Sequence, residues 1–186
     1  MVVAQSAVLP YPGALMERIS TADKAVTTLL ILYHSRTGGT RQMAEAAADA
    51  ARPEAPVALK PAVEAEPADL LRANGYLFCA PENLGALSGL MKEFFDRCYY
   101  PLLGQIEGRP YAQMVCAGSD GHSAARQTAR IVTGWRLREV QPPLIILTHA
   151  QTPAAILAEK QIDADALARC ADLGAAMAAG LALGVF

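Results

Sequence analysis

TLLILY (28–33) is an almost wholly apolar run that leads straight into HSRTGGT (34–40) and then RQMAEAAADAAR (41–52), closed by Pro53. A short apolar run without polar alternation is the pattern of a strand covered on both faces. The stretch rich in alanine and glutamate reads as a helix that the proline ends. Between them, hydroxyls and two adjacent glycines crowd into one short loop. Strand, glycine loop and helix in that order form the opening unit of a parallel α/β sheet.

Working outward, VALK (57–60) reads as a second strand, residues 67–71 as a short helix and residues 75–80 as a third strand. PENLGALSG (81–89) follows, and then a helix over 90–99 in which Leu90, Met91, Phe94, Phe95 and Cys98 recur at helical spacing. The fourth strand covers 111–117, with GSDGH (118–122) and a helix over 123–135 behind it. The fifth covers 144–147, and a last helix runs over 163–183. This alternation predicts an α/β three-layer sandwich, a five-stranded parallel sheet with helices on both faces. Residues 1–25, with Pro10, Tyr11, Pro12 and Gly13, break the pattern and read as an N-terminal arm, which leaves 26–186 as one domain.

The chain has 186 residues, 53% hydrophobic and 18% charged, enough apolar mass for a core on both sides of a sheet and far from a disordered composition. Sixteen Lys and Arg against eighteen Asp and Glu leave a net charge of −2, which offers no basic footprint for nucleic acid. The apolar tail at 173–186 is shorter than the roughly 20 residues of a membrane span. The first residues lack the basic start of a signal peptide. Cys79, Cys98, Cys116 and Cys170 form no CxxC pair and read as reduced core thiols, so the expected location is the cytoplasm. His34 and His149 have no second ligand beside them, so no metal site is expected.

In open α/β sheets ligands bind beyond the carboxyl ends of the strands, where the strand order reverses. Three loops there carry unusual residues. In the first, Gly38 and Gly39 permit close approach of a ligand, and Ser35, Arg36, Thr37 and Thr40 surround a helix N-terminus suited to a phosphate. The lysine of a nucleoside-triphosphate loop and the GxGxxG of a dinucleotide fold are both missing. In the second, Pro81 stiffens the backbone, Gly85 frees it, and Asn83 carries an amide able to donate to a ligand. Glu82 is the acidic member of this loop, and solvent is its expected destination. In the third, Gly118, Ser119, Asp120 and Gly121 precede His122, whose titration range suits a proton donor.

The S-x-T-G-G-T loop resembles the FMN-phosphate loop of the flavodoxin-like superfamily. Pro81 to Gly89, running into Leu90 to Arg97 as P-x-x-x-G-x-x-S-G-x-x-K-x-F-x-D-R, resembles the isoalloxazine loop and following helix of NAD(P)H-dependent FMN reductases and quinone reductases. The resemblance covers residues 26–183 and implies the strand order 2-1-3-4-5. It further implies FMN as cofactor, with Pro81, Glu82, Asn83, Leu84 and Gly85 wrapping the ring and 118–122 as a third contact, and NAD(P)H as hydride donor. A quinone or another small molecule would be the acceptor, and the chain would assemble as a homodimer or homotetramer. Tyr99-Tyr100-Pro101 either presents an aromatic to the ring or ends its helix. Two other functions fit the same fold: a flavodoxin-type electron carrier docking on protein partners, and a binding module without redox chemistry.

Overall fold

The computed structural model describes residues 28–186, so the arm expected at 1–25 lies outside the described residues. In chain order the elements are β1 (Leu29–Tyr33), α1 (Gly39–Ala51), β2 (Val57–Pro61), α2 (Pro67–Arg72), β3 (Gly75–Asn83), β4 (Ala86–Leu87) and α3 (Gly89–Leu102). Then come β5 (Pro110–Ala117), α4 (His122–Gly134), β6 (Arg138–Glu139), β7 (Leu144–Leu147), α5 (Pro153–Leu157) and α6 (Ala164–Ala182). A single 3-10 turn, Ala62–Glu64, follows β2.

The sheet runs β2-β1-β3-β5-β6, and β7 also pairs with β5. All of these pairings are parallel. The fifth position is therefore shared by two short strands, β6 beside the start of β5 and β7 beside its end. Between them stand Pro142 and Pro143, which have no N–H for a ladder. The expected order 2-1-3-4-5 is present, with its last place divided. The other addition is β4, which turns back antiparallel on β3.

Side chains alternate across the sheet. Leu30, Leu32, Tyr76, Phe78 and Val115 face one core, closed by Phe94 and Phe95 of α3, Val132 of α4, and Trp135. Leu29, Ile31, Leu77, Met114 and Cys116 face the other, closed by Met43 and Ala47 of α1 and Cys170 and Met177 of α6. The helices α1 and α6 pack closely, because a Cβ on Gly174 would lie 2.1 Å from the Ala47 carbonyl oxygen. Only glycine fits there.

Candidate functional site

The loops after the parallel strands meet at the carboxyl edge of the sheet. The first passes from β1 into α1 through Gly38, whose φ of 85° and ψ of −23° lie in the left-handed region. A Cβ on Gly39 would stand 2.9 Å from Cys116 Sγ, so the loop is pressed against β5. Among the described residues no side chain caps α1. Ser35 Oγ is buried there without a hydrogen-bond partner among the described residues. Buried polar atoms are nearly always paired, so an orphaned hydroxyl beside an uncapped helix start fits an anion arriving from outside, as the phosphate of FMN would.

Thr40 departs from expectation. It is only 1% exposed, so its side chain is buried against the core in place of lining the loop surface. Thr37 keeps its place in the cleft wall.

The second loop is a β-hairpin. Glu82 pairs with Leu87 and Asn83 with Ala86, which leaves Leu84 and Gly85 as a two-residue turn. Both have positive φ, 53° and 69°, as a type I′ turn requires. The turn itself therefore explains Gly85. Glu82 does not point free into solvent, the destination expected of it; its carboxylate is held by main-chain amides. Its Oε1 accepts from the Gly121 amide and its Oε2 from the Ala124 amide, both at 3.0 Å. The carboxylate caps α4 and ties the second loop to the third. The Leu87 amide, donating to Gln127 Oε1 at 3.1 Å, adds another tie.

Gly121 starts α4 with φ 86° and ψ −18°, nearly the torsions of Gly38. The chain thus builds the same helix start twice. At α4 the Glu82 carboxylate fills it; at α1 no side chain among the described residues does. Around Gly121 space is tight, since a Cβ would meet Ile145 Cγ2 at 2.6 Å. Ser119, Asp120 and His122 are exposed on the rim, and Gly118 is half-buried.

His34 joins the first loop to the second. Its amide donates to the Cys79 carbonyl, and its Nδ1 shares a 2.9 Å hydrogen bond with the buried Ser88 hydroxyl. Burial, and then the nearby Arg36 charge, hold this imidazole below its ordinary value, so it is uncharged at neutral pH.

A cleft of about 620 Å³ opens beside the first loop, within the usual size of small-molecule sites. Of the first loop's candidate residues, Ser35, Arg36, Thr37 and Gly38 line it. Its other walls were not foreseen: Tyr33, His34, Arg41, Pro61–Val63, Leu90, Leu157 and Glu159. Pro81–Gly85 and Gly118–His122 lie on the opposite, β3–β5 side of the first loop and are not in the cleft wall. The loop after β2 shares the edge with the others, so the rule that singles out strand ends reaches Pro61–Val63 as well. Leu157 and Glu159 come from a segment without periodicity.

The aromatic contact considered for Tyr99 does not form. The α3 helix starts at the carboxyl edge and runs away from it. At its far end Tyr99 stacks on Trp135 with centroids 5.8 Å apart, and the Trp135 indole donates to the Tyr99 carbonyl at 2.9 Å. Among the described residues no group of His, Cys, Asp or Glu is arranged to hold a metal, and no helix is long and apolar enough to cross a membrane.

Residues 48–152, more than half of the chain, match the model of the NADPH-dependent FMN reductase family. The chain belongs to this family. The matched span holds the second and third loops of this FMN reductase family member; the first lies outside it. A flavodoxin of Aquifex aeolicus is 41% identical over 83 residues, which are 44% of this chain and 45% of that one. An NAD(P)H dehydrogenase (quinone) of Acidithiobacillus ferrooxidans is 31% identical over 94 residues, 39% of this chain and 47% of the relative. The matches thus span less than half the length of these curated relatives. Among solved structures, an archaeal flavodoxin superposes with a TM-score of 0.67 at 16% identity, covering 83% of this chain and 99% of that one. A flavodoxin described as WrbA-like, from Agrobacterium tumefaciens, gives 0.63 at 19% identity, with 85% and 98% covered. These two likenesses establish the flavodoxin-like fold.

Proposed function

We propose that this protein is an FMN-dependent oxidoreductase that takes hydride from NAD(P)H and passes it to a quinone or another small acceptor. The observation that carries the reading is the uncapped start of α1 with the orphaned Ser35 hydroxyl beside it. Family membership and the quinone-reducing relative support it.

In this reading Ser35, Thr37 and the amides that open α1 hold the phosphate. Arg36 and Arg41, in the cleft wall, add positive charge for a phosphorylated ligand. The hairpin at 82–87, held rigid through Glu82 and Gln127, positions Asn83 and the main chain at the polar edge of the ring. His34 stays neutral and fixes the first loop against the second. When bound, FMN supplies the hydride chemistry, which leaves the chain the tasks of binding, orienting and excluding water. Exposed on the rim of the third loop, His122 is available as a proton donor to the acceptor. Copies of the chain are expected to pair as dimers or tetramers.

The Aquifex flavodoxin, as the more similar relative over its matched span, favours a second reading, an electron carrier. Carriers steer by strong surface charge, and −2 is modest for that role. Visible spectra of the purified protein with added FMN, followed by anaerobic NAD(P)H, test both readings. Bands that shift on binding and bleach with NAD(P)H are the expected result. Bleaching by dithionite alone selects the carrier, and no binding at micromolar FMN removes both.

A further inference from the structure

We propose that the strap formed by residues 148–162 lies across the phosphate loop and that Glu159 on it is a specificity-determining residue, one that opposes a flavin phosphate and keeps FMN exchangeable. The inference rests on the FMN reading above.

The strap leaves β7 at Thr148, whose amide donates to the Ala117 carbonyl. It turns at His149, which has φ 54°. The Ala150 carbonyl then passes 3.1 Å from where a Cβ on Gly118 would sit, so the strap begins against the third loop. It ends against the first. There the Lys160 amide donates to the Thr37 carbonyl at 2.8 Å. Gln42 of α1 clamps the same end, donating from Nε2 to the Lys160 carbonyl at 2.6 Å and accepting the Ile162 amide at 3.1 Å.

Between these two anchors nothing is buried. Residues 151–159 are all exposed, including the whole of α5. What order the segment has is its own. Thr152 caps the start of α5, and Lys160 Nζ closes its end on the carbonyls of Ala155, Ile156 and Ala158. A unit with internal hydrogen bonds and no core anchor moves as a body at low cost.

Glu159 rides at the end of this unit. Its Cγ and Oε1 each lie 3.6 Å from the Cβ position of Gly38, at the start of α1, and it shares the cleft wall with Ser35, Arg36 and Arg41. Among the described residues Arg41 pairs with Glu45, whereas Glu159 has no salt bridge. It also lacks the two amide bonds that Glu82 makes at the equivalent place on α4. A carboxylate set beside the loop but not consumed by it repels an incoming dianion. With solvent screening at this exposed position, the effect is about tenfold in affinity.

The test compares FMN with riboflavin, which lacks the phosphate, by fluorescence titration of the wild type, Glu159→Gln and Glu159→Lys. The glutamine variant is expected to tighten FMN about tenfold and the lysine variant more, with riboflavin unchanged within twofold. Raising salt should narrow the differences. Equal changes for both flavins, or none for FMN, overturn the proposal while leaving the FMN reading intact. If the wild type binds neither flavin, the reading itself fails and the proposal falls with it. Melting temperatures of the variants, expected to match the wild type at this exposed position, guard against a folding artefact.

Discussion

Leu84 occupies the first turn position of the β3–β4 hairpin at φ 53°, with its side chain wholly in solvent. The left-handed conformation costs a branched L-residue roughly 1–2 kcal/mol, and asparagine much less. Leu84→Asn should therefore stabilise the fold by about 0.5–1 kcal/mol, read as a higher midpoint in urea. Asp69 predicts the opposite sign. Burial raises its carboxyl, but hydrogen bonds from Lys60 and the Glu66 amide, the Lys60 charge and the Arg72 contact together hold it below its ordinary 3.8. Asp69 lies at the third position of α2, and its Oδ2 accepts from the Glu66 amide at 2.9 Å. A carboxyl lowered on folding adds stability above its unfolded value, and that contribution is lost as pH falls through the folded one. Asp69→Asn should cost about 1–2 kcal/mol at neutral pH. The gap to the wild type should close as the pH drops below 3.8. Denaturation curves at pH 7 and pH 3 check both points.

At the level of elements, α1 is aimed by α6. Contact at Gly174 is so close that an added methyl must push the two helices apart, since the obstacle is the Ala47 backbone and not a side chain that can swing aside. Gly174→Ala should destabilise by about 2–4 kcal/mol, overpacking with backbone displacement being costlier than a lost contact. Because α1 carries the first loop at its other end, the same variant should also weaken FMN binding. Thermal unfolding and flavin titration on one preparation measure the two effects together. The helices and strands were legible in the sequence wherever burial imposed a period, as in the apolar β1 and the Phe94–Phe95–Cys98 spacing of α3. Glu82 was not legible, because its partners stand 39 and 42 residues further along the chain. The loop sequence makes Thr40 a phosphate donor by its neighbours, whereas the fold buries its side chain, which the loop sequence alone does not show.

For the molecule as a whole, the order of the sheet is the one the family resemblance of the loops implies, and the edge at which ligands bind follows from the rule for open parallel sheets. The shape of the cleft follows from neither. Its far wall comes from Pro61–Val63 and from the strap, brought together by the closing of the whole fold and by no local motif. The division of the fifth sheet position between β6 and β7 has a consequence for life at high concentration. An exposed strand with a full row of free amides invites a neighbouring chain to zip onto it, the first step toward fibres. Here one border offers two residues, then Pro142 and Pro143, then four; the other is β2, which ends in Lys60 and Pro61. Among the described residues the divided border gives an incoming strand no continuous template, which works against lateral growth on that side.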